Sequence, residues 1–366
     1  MAATTSVRPK IRAMLTEPQR RYSAVPKRLR RLTVSATVTL FALMLLGAFL
    51  APMAYMTSTA LKDTTQISDT HQPLLPESPR EVSIGGEQVP VMQVPVDGHV
   101  RELALVEKGR TESVFADPEN PDERITWQGS WRTLKPAYEF KPQWGNFSAV
   151  WKALDVPLLL RNTLVIAVLG AVGTVISSTL VAYGLSRFRV PFAPFILASL
   201  VAAIILPRFL TIVPTYAVWQ RLGLVGTWVP LIAPHFFATA YNVFLLRQFF
   251  LSIPRELDDA AAIDGAGTLK TLWYVIIPQA RPATLTVAIL HFLFAWNDFF
   301  EPLVYLTGKP DLMPFSVGLF QFLGLYASQI PLLQAGALLG MLLPILLFLF
   351  GQRIFLRGLD LAGSGK

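Results

Sequence analysis

Six runs of mostly apolar residues, each near the length a helix needs to cross a bilayer, constrain this 366-residue chain more than any other feature. A crossing takes ~20 residues at 1.5 Å rise each. The runs fall at about 32–56, 159–185, 192–213, 227–246, 283–306 and 332–355. Helices are expected, because lipid offers backbone N–H and C=O groups no partner outside their own segment. Strands of a lipid-facing barrel would alternate apolar and polar residues, and these runs do not.

Composition agrees: 52% of residues are hydrophobic, 15% are charged, and the mean hydropathy is +0.46. Soluble domains carry about 25% charged residues. Disordered, collagen-like and disulfide-stapled classes are excluded. With no cysteine there is no disulfide, thiolate metal site or cysteine nucleophile.

Charge is unevenly divided. Residues 61–158 hold 10 Lys and Arg against 15 Asp and Glu, a net of −5, and the rest hold 22 against 9, a net of +13. The basic residues sit at the edges of apolar runs, which argues for membrane lipid as neighbour and against nucleic acid. Nine Lys and Arg precede the first run, from Arg8 to Arg31. By the positive-inside bias they put the N-terminus in the cytoplasm. Six crossings then return Arg187, Arg189, the 247–281 segment, Arg353, Arg357 and Lys366 to that side, and the C-terminus is expected there too. The first run is too long for a cleaved signal and reads as a signal anchor.

The acidic stretch 61–158 reads as an insert between the first and second helices. Its β-branched segments 89–96, 99–106 and 124–127 are separated by turns such as Gly85-Gly86 and Asp97-Gly98, which suggests a small β-rich extracytoplasmic domain; a long decorated loop is the competing reading. The expected organisation is a basic tail 1–31, helix 1 over 32–60, the insert 61–158, a five-helix core 159–356 and a tail 357–366. No internal repeat is evident.

Between the fourth and fifth runs lies Pro254-Arg255-Glu256-Leu257-Asp258-Asp259-Ala260-Ala261-Ala262-Ile263-Asp264-Gly265-Ala266-Gly267, continuing to Val275-Ile276-Ile277-Pro278. Proline opens a helix, carboxylates in its first turn oppose the positive end, and glycines end it. Leu257, Ala261 and Asp264 share one face, widened by Ala260 and Ile263. The segment predicts a short cytoplasmic helix with a small-residue face, and on these grounds alone an interfacial loop helix.

This segment resembles the EAA loop in permease subunits of bacterial ABC importers. Asp259-Ala260-Ala261, Gly265 and Val275-Ile276-Ile277-Pro278 fall at the family's offsets, with Asp259 where Glu is usual. Similarity to the carbohydrate branch extends through Leu206-Pro207, Ile212-Val213-Pro214, Arg221-Leu222-Gly223-Leu224, the 244–250 stretch, Ile253-Pro254, the 294–303 stretch and the 352–359 tail, the last like maltose-type and glycerol-phosphate-type inner permeases. The chain departs after Leu359, and its insert is larger than usual for this subunit type.

The resemblance implies an all-α membrane protein of the ABC importer permease type, with six transmembrane helices. The loop, about 252–278, would dock on a cytoplasmic ATPase. Glu256 and Asp259 would make charged contacts, Ala260 and Ala261 would permit close approach, Asp264 lies on that face, and Gly265 would make the turn. Implied partners are a second permease, an ABC ATPase dimer and an extracytoplasmic solute-binding protein. A sugar or sugar derivative would be imported across the bacterial inner membrane. ATP would be hydrolysed by another chain, with no cofactor here.

Polar residues inside spans lean towards function. Trp296, Asn297, Asp298 and Glu301 beside Pro302 suit a hydroxyl-rich solute, the ring stacking on the sugar and the polar atoms bonding its hydroxyls; interhelical bonding is the competing reading. Asn242, His235 and Arg208 are weaker candidates, and Arg161 and Asn162 read as snorkelling or capping. His71, His99, His235 and His291 show no metal-ligand spacing. Asp298 and Glu301 lack the partners of a glycosidase pair. The ending Gly363-Ser364-Gly365-Lys366 lacks the context of a phosphate loop. Two other classes stand as alternatives: a secondary transporter, which usually shows repeated halves, and a non-transport membrane scaffold or enzyme.

Overall fold

The computed structural model describes residues 27–67, 73–96, 98–324 and 329–363, and the side chains of 31–63, 66–67, 73–96, 98–207, 209–324 and 329–352. The basic residues Arg8 to Arg21, His71 and Lys366 lie outside these, as do the side chains of Arg208, Arg353 and Arg357.

Helices of eight or more residues are α1 (Lys27–Ala60), α2 (Gly145–Ala153), α3 (Val156–Arg187), α4 (Ala193–Ile205), α5 (Arg208–Arg221), α6 (Ala240–Ser252), α7 (Glu256–Ile263), α8 (Arg281–Trp296) and α9 (Ile330–Gly363). The chain divides into two units, residues 1–55 and 56–366. In the first, the described structure is helix. Leu40, Phe41, Met44 and Phe49 are all exposed, an apolar surface suited to lipid.

The fold is mostly helical. Four helical stretches are long and apolar enough to cross a membrane: Arg31–Ala60, Val156–Arg187, Val229–Ser252 and Ile330–Gln352. Two bent pairs raise this to as many as six. Ala193–Ile205 and Phe209–Arg221 meet at 101°, and Thr268–Gln279 and Arg281–Trp296 at 83°.

Spanning helices were expected over about 192–213, 227–246 and 283–306, and the structure breaks or bends the helix in each. The first breaks at Leu206-Pro207, where proline lacks an N–H and keeps its predecessor extended (Leu206 ψ 120°). The second runs as Val229–Ile232, tightens into a 3₁₀ turn at Ala233–Phe237, breaks at Ala238 and resumes as α6. Ala238 has φ +61°, a left-handed conformation strained for a residue with a Cβ. The third ends at Trp296, and a short turn of helix, Phe300–Tyr305, follows.

A sheet occupies part of the 61–158 stretch. Its strands are β1 (Glu77–Pro79), β2 (Glu81–Ile84), β3 (Glu87–Val96), β4 (His99–Glu107), β5 (Glu112–Ala116), β6 (Arg124–Gln128), β7 (Lys135–Pro136) and β8 (Tyr138–Phe140). The order is β2-β3-β4-β5-β6, antiparallel throughout, with β7 on β3 and β1 paired with β8. Gly85 and Gly86, both at positive φ, turn β2 into β3 as a two-residue hairpin requires. Alternation buries Met92, Val94, Leu103, Leu105 and Phe115 as a small core. The stretch closes on itself at its base: the Gln143 N–H donates to the Leu61 carbonyl at 2.8 Å, and Asn146 Nδ2 donates to those of Ala60 (2.8 Å) and Lys62 (2.9 Å).

At the centre of the second unit's helical part lies α3, 32 residues long. Asp155 caps it, accepting from the Leu158 N–H at 3.1 Å, with Pro157 in the first turn. Small residues let neighbours approach: a Cβ on Gly173 would lie 2.6 Å from Phe236, and one on Gly170 would lie 3.1 Å from His235 and 3.3 Å from His291. α6 and α8 pack on it, and Tyr183, Val243, Leu246, Phe250, Leu272 and Ile276 form a core with it.

Candidate coupling loop and transport pathway

The carboxylate-rich segment folds as a short helix of about two turns, as its sequence suggests. Glu256, Asp258 and Asp259 occupy the first turn of α7, opposing its positive end. Its C-terminus is a Schellman motif. The Ala266 N–H donates to the Ala261 carbonyl at 2.8 Å and the Gly265 N–H to that of Ala262 at 3.1 Å, with Gly265 at φ +74° and Asp264 as the cap. A side chain at 265 would be strained there, which accounts for glycine.

The face it presents is mixed. Glu256, Asp259, Ala260 and Asp264 are exposed, whereas Ala261 is buried against the chain itself. Around them Ile263, Leu269, Trp273 and Tyr274 are exposed, Ile263 by 86% and Tyr274 by 79%. Large apolar side chains exposed together beside carboxylates make a surface of the kind found at protein or membrane contacts.

Behind α7 stands the last turn of α3. Arg187, 6% exposed, holds Asp258 in an ion pair at 3.2 Å, Nε to Oδ2, without the alignment of a directed hydrogen bond. Its NH2 donates to the Ile253 carbonyl at 3.0 Å. Arg255 reaches the Ser186 carbonyl (3.4 Å), Arg247 the Leu185 carbonyl (3.2 Å), and the Tyr183 hydroxyl the Thr268 carbonyl (3.4 Å). Cations on terminal carbonyls also suit the negative end of α3. A cleft of ≈ 260 Å³ opens among Tyr183, Arg187, Arg255, Asp258, Asp259 and Thr271. Arg187 figured in the sequence only as a topology charge and Asp258 only as one of a carboxylate cluster. Their pairing across 71 positions (187 to 258) leaves no local pattern.

The tryptophan of the polar cluster is packed inside the chain. Trp296 is buried, donates Nε1–H to the Gly340 carbonyl at 3.1 Å, and stacks on Phe292 at 5.7 Å. Asn297 Nδ2 turns back to the Leu293 carbonyl at 2.7 Å. Asp298 lines a cavity of ≈ 10 Å³ with Thr163, His235, Phe294 and Pro302, room for about one water and closed to a sugar in this conformation. The Asp298 carbonyl accepts from Ser316 at 2.7 Å. Glu301 and Pro302 lie beyond, in the 300–305 turn. Asn242 is buried at the start of α6 and donates to Thr239 at 2.7 Å.

Two histidines distant in sequence come together. His235, in the 3₁₀ turn, and His291, in α8, meet edge to face with centroids 4.3 Å apart. At the other end of α3, Asn162 Nδ2 donates to the Asp311 and Met313 carbonyls (2.9 and 3.0 Å), its Oδ1 accepts from Arg161, and Thr163 accepts from the Phe315 N–H at 2.8 Å. Among the described residues no group of three or more His, Asp or Glu is placed to hold a metal.

Residues 194–360 match the family described as "Binding-protein-dependent transport system inner membrane component". The osmoprotective compounds uptake permease protein GgtD of Synechocystis sp. is 34% identical over 226 residues, 61% of this chain and 74% of that protein. The melibiose/raffinose/stachyose import permease protein MelC of Bacillus subtilis is also 34% identical, over 219 residues, 59% of this chain and 78% of its own length. A solved bacterial ABC transporter involved in import of the acidic polysaccharide alginate superposes with TM-score 0.59 at 19% identity, covering 91% of this chain and 99% of that one, which shows a shared fold. The chain belongs to the binding-protein-dependent inner membrane components: it is a multi-pass inner-membrane permease subunit of an ABC importer.

Proposed function

We propose that this permease imports a sugar or sugar derivative and is driven through α7 by a separate ATPase. It works as half of a transmembrane pair with a second permease, above an ATPase dimer and below a solute-binding protein. The observation that carries the reading is α7 itself. A capped helix is fastened to α3 at its back while Glu256, Asp259, Ala260, Ile263 and Tyr274 stand exposed at its front. Asp259 takes the charged contact, and Gly265 sets the exit of the chain. Ala261 lies behind this surface and lets α7 sit close to its own core.

In this reading there are six crossings, counting each bent pair as one, with both termini in the cytoplasm and the 61–158 sheet outside. The sheet is a docking surface for the solute-binding protein. An apolar groove of ≈ 600 Å³ between α4 and α6, lined by Leu197, Val201 and Phe244, serves the second permease. Sugar as solute class is supported by relatives such as the melibiose/raffinose/stachyose permease. Asp298 lines the pathway when the small cavity widens, Asn297, Glu301 and Asn242 contribute further polar groups along it, and Trp296 holds the wall at the end of α8. Reconstitution with both permeases, the ATPase and the binding protein should give sugar uptake that needs ATP and is stopped by vanadate. Uptake driven by an ion gradient without ATP would contradict it.

A further inference from the structure

The contacts behind α7 are more extensive than docking alone requires. A loop helix that merely offered a surface could be held by its own caps. Here the last turn of α3 is joined to the 247–268 segment by the Arg187–Asp258 ion pair and four side-chain bonds to carbonyls, donated by Arg187, Arg247, Arg255 and Tyr183. Arg187 is only 6% exposed and Asp258 23%, so removing the carboxylate leaves a nearly buried guanidinium without its counter-charge.

α3 is continuous for 32 residues, about 48 Å at 1.5 Å each, with no proline beyond its first turn. Its far end is fastened too, Asn162 and Thr163 holding the backbone of 311–315. A continuous helix pinned at both ends carries displacement from one to the other. The 101° and 83° breaks make the bent pairs poor candidates for that task.

We infer that Arg187 and Asp258 are positioning residues that latch α3 to α7, so that the two move as one body and α3 carries the signal between the ATPase side and the 311–315 segment. The inference rests on α7 being the ATPase-docking element.

The test uses the complete complex in vesicles and reads two quantities: ATPase subunits retained on purification, and stimulation of ATP hydrolysis by the solute-binding protein as purified. Asp258→Asn should keep the ATPase subunits and basal hydrolysis but cut stimulation about tenfold, and Asp258→Glu should restore it. Undiminished stimulation in Asp258→Asn, or loss of its ATPase subunits, would overturn the latch.

The absence of cysteine permits a second, independent test. Ser186→Cys with Arg255→Cys, bridged by a short bis-methanethiosulfonate, ties α3 to the loop. Stimulation should survive bridging; a loss reversed by reductant would show that the two must slide past each other and would sink the inference. Failure of the docking reading shows separately, as ATPase subunits retained by Asp259→Arg, and would remove the ground beneath the latch.

Discussion

His235 and His291 meet edge to face at 4.3 Å over Gly170, so three elements converge where only a hydrogen fits. A Cβ at 170 would lie 3.1 Å from His235 and 3.3 Å from His291. Gly170→Ala is therefore expected to push one ring aside and lower stability by about 1–3 kcal/mol, the usual cost of overpacking. Thermal melting in detergent checks it, and a melting temperature equal to wild type would show that the rings yield freely.

Trp296 offers a test between strut and sugar contact. Phe in its place keeps a ring for stacking but loses the donor to Gly340. The expected result is about 1 kcal/mol less stability with an unchanged order of preference among radiolabelled sugars. A changed preference would put the ring in the pathway.

Much of this was legible in the sequence, and the limits have physical causes. Caps and turns are local, so α7, its glycine end and the Gly85-Gly86 hairpin could be read from neighbouring residues. Apolar length found the four stretches that qualify as spans and the two bent pairs, but not the breaks at Pro207 and Ala238, which bend helices without changing hydropathy. β-Branched stretches between turns pointed to segments now occupied by β3, β4 and β6, while the joining of Leu61 to Gln143 at the base of the stretch did not show. Long-range pairs such as Arg187 with Asp258, and Asn162 with the 311–313 backbone, have no periodicity to betray them. The bond from Trp296 to the Gly340 carbonyl, 44 positions away, likewise left no local pattern.

Lys62 gives a pH signature at the base of the sheet-bearing stretch. Burial lowers the pKa of its ammonium from the ordinary 10.5, and Glu77 partly restores it. The ammonium donates to the Pro73 carbonyl at 2.6 Å. Between the lowered value and 10.5 the unfolded chain binds more protons than the folded one, so stability rises with pH in that window. The penalty is fully present at lower pH. Protection of the 61–146 region in hydrogen exchange should increase as pH climbs towards 10.5, and Lys62→Met should flatten the trend. A slope unchanged in Lys62→Met would assign it to another group.

Because Leu61 and Gln143 are already hydrogen-bonded at 2.8 Å, residues 63–142 can be replaced by a short Gly-Ser linker without separating these two ends. That variant should keep its ATPase subunits while stimulation by the solute-binding protein falls about tenfold, ~1.4 kcal/mol of docking energy. Full stimulation would remove the sheet from the docking surface.

The central claim is that exposed carboxylates on α7 hold a separate ATPase. Its most direct measurement is co-purification of ATPase subunits with Glu256→Arg/Asp259→Arg in the assembled complex, beside wild type. Both residues are exposed and neither makes the Arg187 ion pair, so the fold should survive. The account predicts a correctly inserted permease stripped of ATPase and without ATP-driven sugar uptake. ATPase retained at wild-type stoichiometry, with uptake intact, would contradict it.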